Sequence, residues 1–110
     1  MELIGLESEM NRGFLQLLVL IVLSEPMYGY MMIRKLEDMK FLIEENTLYP
    51  LLRRLESKNY IESKWEVGDG KPKKFYVITN EGKEVRRKLL RIWNEQNEIL
   101  NKCLEGFDNV

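Results

Sequence analysis

Leucines at 48, 51, 52 and 55 stand at offsets of 0, 3, 4 and 7, which lays one apolar stripe along a helix over 47–58. Arg53 and Ser57 fall opposite that stripe, and Tyr49 and Arg54 flank it. Upstream, the run from Phe14 to Leu23 is broken only by Gln16 and predicts a helix over about 11–24 with no polar face in its second half. A helix that is apolar all round must be covered on all sides. It is therefore either a central core helix or a helix shared with a second subunit. Residues 1–11 are polar and acidic apart from Leu3, Ile4 and Leu6, and read as an arm or a first helical turn.

Pro26 ends that helix, because proline disfavours helical geometry in the residue before it. Tyr28-Gly29-Tyr30 opens a second helix over about 28–39, with Met31, Met32, Ile33 and Leu36 on its buried side. The methionines read as core filler. Phe41-Leu42-Ile43 is a short apolar connector or minimal strand. A cap at one of residues 45–47 would start the third helix, with Pro50 in its first turn. Alternation then predicts a strand over 60–67 with Ile61, Ser63, Trp65 and Val67 on one face. Gly68-Asp69-Gly70-Lys71-Pro72 is a turn by composition, and 73–79 is the returning strand. Thr79 caps a long helix over about 80–106.

That last helix carries Val85, Leu89, Ile92, Gln96, Ile99 and Cys103 at steps of 4-3-4-3-4, a stripe of period 3.5. Leu90, Trp93, Leu100, Leu104 and Phe107 widen it. It either folds back on its own domain or meets a second copy, and a partner chain is its natural cover. The expected dimer interface is Leu18 and Ile21 from the first helix with Leu89, Ile92, Trp93, Gln96, Ile99, Leu100 and Cys103 from the last.

The chain has 110 residues, enough for one domain with a small core. The expected organisation is a unit over 1–79 and a dimerisation helix over 80–110, joined as one compact body. The net charge of −1 hides a split: residues 46–91 carry a balance of +6 and the remainder −7. Such a split suggests one face for an anionic polymer. With one cysteine and no histidine, neither a common structural zinc site nor a histidine-based triad can be built within one chain. No nucleophile–base pair or phosphate loop suggests an enzyme, and no cofactor or metal is expected. The apolar run is too short to span a bilayer, which takes about 20 residues. No small-residue cleavage pattern follows it, so the expected location is the cytoplasm, without membrane contact.

Three helices, a hairpin and a basic turn in this order make a winged helix-turn-helix: a mainly α fold with a small β-hairpin, plus the long C-terminal helix. An α-helix fits the major groove of B-DNA, where base edges are readable. Lys71, Lys73 and Lys74 at the hairpin, with Lys64 below, suit phosphate contacts. A competing reading is a winged-helix protein-interaction module that uses the long helix and lacks specific DNA binding.

Four stretches carry a closer likeness: Gly13–Leu20, Tyr28-Gly29-Tyr30, Thr47-Leu48-Tyr49-Pro50-Leu51-Leu52-Arg53-Arg54-Leu55-Glu56, and Lys73–Gly82. Together, over roughly 12–105, they resemble the PadR family of bacterial transcriptional regulators, in its short branch with a single C-terminal helix. The resemblance implies a homodimer whose last helix embraces the partner's first, bound to a pseudo-palindromic operator and usually repressing a nearby gene. It implies that Thr47, Tyr49 and Arg53 face DNA, with Arg54 beside them, and that Lys71, Lys73 and Lys74 are wing contacts. Phe75 stands where tyrosine is more usual, and Lys71 where glycine or arginine is common. Some short members hold planar aromatic or cationic molecules in a pore between paired tryptophans. Trp93 stands at that position, which implies a planar aromatic effector stacked on its indole.

Overall fold

The structure, a computed structural model, describes residues 4–107. Leu3 and the outer ends of the two expected units, 1–3 and 108–110, lie outside the described residues. The elements run α1 (Ile4–Val22), β1 (Met27–Tyr28), α2 (Gly29–Asp38), α3 (Glu45–Ser57), β2 (Ile61–Glu66), β3 (Lys73–Ile78) and α4 (Asn80–Glu105). Among the described residues, no helix is long and apolar enough to cross a membrane.

The leucine stripe does what its spacing requires. Leu48, Leu51, Leu52 and Leu55 of α3 are buried against Leu20 of α1, Leu23 just beyond its end, Met32 and Leu36 of α2, Ile61 of β2 and Tyr76 of β3. Burying such side chains is worth about 1.5–3 kcal/mol each, so this cluster holds the three helices and the sheet as one body. Met32 is core, but Met31, expected to be buried, is exposed, and Ile33 is only half-buried.

Several expected boundaries move. The first helix starts at Ile4 rather than near Asn11. Leu6, Met10, Phe14, Leu17 and Ile21 recur every three or four residues, so the acidic first third continues the helical face of the apolar run. Tyr28 is not helical. With Met27 it forms a strand that pairs with β3 in the register Met27↔Tyr76 and Tyr28↔Phe75. The sheet therefore has three antiparallel strands in the order β1-β3-β2, not a bare hairpin. Residues 41–44 pair with no strand. Glu44 is the N-cap of α3 and uses no side-chain bond, while Asn46 and Thr47 lie inside its first turn. Pro50 then falls one turn deeper than expected. It has no N–H to donate to the Asn46 carbonyl one turn earlier, a loss that falls on the exposed side of the helix.

The junction between β3 and α4 is tightly built. Thr79 Oγ1 accepts from Gly82 N at 2.9 Å and donates to the Asn59 carbonyl at 2.7 Å, while Thr79 N donates to the Tyr60 carbonyl at 3.1 Å. A Cβ on Gly82 would lie 2.0 Å from the Tyr60 carbonyl oxygen, so only glycine lets α4 start this close to the turn after α3. That turn itself passes through Asn59 at φ 65°, which asparagine tolerates well. Beyond this start α4 packs on α1, with Val85 and Leu89 half-buried and Arg86 Nη1 donating to Ser24 Oγ at 2.7 Å.

Candidate nucleic-acid interface

By helical geometry the four buried leucines leave Asn46, Pro50, Arg53 and Ser57 as the outermost row of α3, and all four are exposed. The flanks differ. Thr47 and Arg54 turn toward α1, where they border a groove of about 480 Å³ with Arg12, Phe41 and Leu42. Tyr49 turns toward the sheet and is half-buried. Arg53 lies close enough to Tyr76 for its charge to act on that phenol. Of the helix residues expected to face DNA, Arg53 alone is central. Thr47, Tyr49 and Arg54 sit at the margins. The central residues Asn46 and Pro50 were absent from the expected contact set, although the helix period already placed them opposite the leucines.

Beside this face stands the wing. Register pairs Ile61↔Ile78, Ser63↔Tyr76 and Trp65↔Lys74 on one face of the sheet, and Lys64↔Phe75 and Glu66↔Lys73 on the other. Neighbouring residues of a strand point to opposite faces, so Lys73 and Lys74 straddle the wing. The Lys73 ammonium lies 5.7 Å over the Tyr28 ring and that of Lys74 lies 5.5 Å over the Tyr76 ring. Tyr28 donates to Glu66, and this carboxylate partner is the main reason its phenol titrates above the ordinary value. Lys71 is exposed at the turn.

Trp65 departs from expectation. It shares the inner face with Ile61, which is fully buried, yet it is 63% exposed, and Val67 beyond it is also bare. The core ends at Ser63, which donates to Glu56 of α3, so alternation along β2 outlasts the surface it could cover. A large indole is thereby placed beside Lys74, on the sheet face that turns toward α3.

The remaining uncovered apolar surface lies on α1 and α4. Leu18 is half-buried and Ile21 exposed; Leu89 is half-buried, and Ile92, Trp93, Gln96, Ile99, Leu100 and Cys103 are exposed. Phe14 stacks on Trp93 with centroids 6.4 Å apart and meets Phe41 edge-on at 5.7 Å. A groove of about 490 Å³ opens beside this pair, walled by Met10, Leu17, Leu89 and Ile92. Among the described residues, no group of three or more His, Cys, Asp or Glu side chains is placed to hold a metal ion.

A helix-turn-helix with α3 outermost, flanked by a lysine-bearing hairpin, defines the winged-helix class. Residues 17–88 match the PadR-like family of transcriptional regulators, and the chain belongs to that family. It is similar to an uncharacterized protein of Lysinibacillus sphaericus, 35% identical over 106 residues that cover 92% of this chain and 97% of that one. The crystal structure of a PadR family transcriptional regulator from Eggerthella lenta is 43% identical with a TM-score of 0.87, covering 94% of this chain and 92% of that chain. A PadR-like transcriptional regulator from Bacillus cereus is 29% identical with a TM-score of 0.80, covering 90% and 99%.

Proposed function

We propose that this chain acts as a homodimeric, sequence-specific DNA-binding regulator that represses transcription and is released by a planar aromatic small molecule. The observation that carries the reading is the exposed row of α3 with Arg53 at its centre, set beside a wing on which Lys71 and Lys73 are exposed and Lys74 is half-buried. Residues 1–79 form the reading unit and 80–110 the dimerising helix. Thr47, Tyr49, Arg53, Arg54, Lys71, Lys73 and Lys74 contact DNA, with the lysines on phosphates. The bare apolar row of α4 and the exposed side of α1 meet their counterparts in the second subunit.

A mobility-shift titration on the DNA upstream of its own coding sequence tests this. Specific binding should exceed binding to random duplex by about 10³-fold or more at physiological salt. Equal binding to both would favour a protein-interaction module instead.

For the effector, Trp93 supplies a stacking surface. One side of its indole meets Phe14, and it is 40% exposed. Titrating DNA-free protein into an acridine dye should raise the anisotropy of the dye's own emission, and Trp93→Ala should abolish that rise. Trp65→Phe, on the wing, should leave it unchanged. Dye binding that persists in the Trp93→Ala variant would remove Trp93 from the effector site.

A further inference from the structure

Between the start of α2 and the foot of the wing lies a cavity of about 300 Å³ that belongs neither to the outer row of α3 nor to the groove on α4. Tyr49, Tyr76, Tyr30 and Gly29 form one side of it, and Lys73 and Lys74 stand at its rim. No carboxylate lines it. Glu45 and Glu56 act on the Tyr49 and Tyr76 phenols from α3 but form no part of the wall.

The side chains and open backbone amides that border the cavity can donate to an incoming ligand. Tyr28, the N-cap of α2, makes no side-chain cap, so the first-turn N–H groups of this ten-residue helix are open. Tyr76 is only 5% exposed, yet among the described residues its hydroxyl has no hydrogen-bond partner. Among the described residues no side-chain oxygen sealed from solvent is left unsatisfied, so that hydroxyl opens into the cavity rather than into the core. Open to solvent and unpaired among those residues, the hydroxyl can donate to a ligand that enters the cavity.

Tyr49 supplies a second hydroxyl. Its ring lies across Gly29 so closely that a Cβ there would come within 2.7 Å of Cε1 and Oη. The side chain is therefore folded back over the start of α2 and does not stand out from α3 toward a groove. Burial is the main cause that raises both the Tyr49 and Tyr76 phenols above their ordinary range, which keeps them protonated as donors. Two hydroxyls, open backbone amides and the Lys74 ammonium border a space with ample room for a phosphate group, to which each can donate.

We propose that this cavity seats one backbone phosphate of the bound DNA in each subunit, with Tyr49 and Tyr76 donating to its oxygens and Gly29 giving Tyr49 the room to do so. The proposal rests on the DNA-binding reading above. It narrows Tyr49 from a general DNA contact to one that fixes the register of the strand, and it adds Tyr76, a residue the sequence presents only as part of a strand.

The test uses the full chain with a duplex it selects from a random pool, in which single phosphates are replaced in turn by neutral methylphosphonates. One position in each half-site should weaken wild-type binding by about tenfold. In a Tyr49→Phe/Tyr76→Phe variant that position should lose its effect while other sensitive positions keep theirs. Removing two hydroxyls leaves the rings in the core, so this variant folds. Gly29→Ala, which displaces the Tyr49 ring, should reduce the effect at the same position. An undiminished methylphosphonate effect in the double variant would overturn the proposal while leaving DNA binding intact. A pool that yields no preferred duplex would overturn both readings. Submillimolar binding of inorganic phosphate to DNA-free protein, lost in the double variant, would reassign the cavity to a free anion and also overturn the proposal.

Discussion

Replacing Lys71, Lys73 and Lys74 together by alanine should leave the fold intact and nearly remove tight DNA binding. Each neutralised phosphate steepens the salt dependence by about 0.9 in the log–log slope, so six lysines in a dimer would account for up to about 5. The affinity measured across a salt series should fall and its slope flatten by several units. The fold is spared because Lys71 and Lys73 are exposed and Lys74 contributes only its ammonium over the Tyr76 ring. Single variants should not behave alike. Lys74 stands on the sheet face nearest α3 and Lys73 on the opposite face, so the two serve different positions along the DNA backbone. A triple variant with an unchanged slope would take the wing out of the interface.

The second large effect concerns assembly. Ile99→Glu should convert a dimer into a monomer at micromolar concentration, read by sedimentation or light scattering. Ile99 is 66% exposed and has no role in the core of its own chain, so circular dichroism should still show a folded helical protein. Operator affinity should drop by about 10²- to 10⁴-fold, because two linked half-sites bind far more tightly than either alone. A wild-type chain that sediments as a monomer would remove the basis of this prediction and of the proposed dimer.

Much of the architecture was legible because burial leaves a period in the sequence. The leucines of α3 and the Thr79 cap were readable from local spacing, and the structure places them as spacing demands. What could not be read depends on neighbours distant in the chain. Met27 and Tyr28 become a strand only because β3 offers them a partner nearly fifty residues later. Trp65 obeys the alternation of its strand, but no covering surface reaches that far along the wing. The placement of Tyr49 was hidden for a similar reason. Helical spacing put it on a flank of α3, and only the missing side chain of Gly29 draws the ring inward. The early start of α1 was a different kind of miss, since Leu6 and Met10 kept the helical period through an acidic stretch.

The close junction at Thr79 has a mechanical meaning. No linker separates β3 from α4: one ends at Ile78 and the other begins at Asn80. Gly82 presses the start of the helix onto the Tyr60 carbonyl, so little slack exists to absorb motion there. β3 spans about 20 Å and α4 about 39 Å. Because β3 is the middle strand, paired with both β1 and β2, α4 and the whole sheet tilt as one piece about Thr79. A tilt of α4 by about 5° would carry the far end of β3 through roughly 1.7 Å, more than half the length of a hydrogen bond.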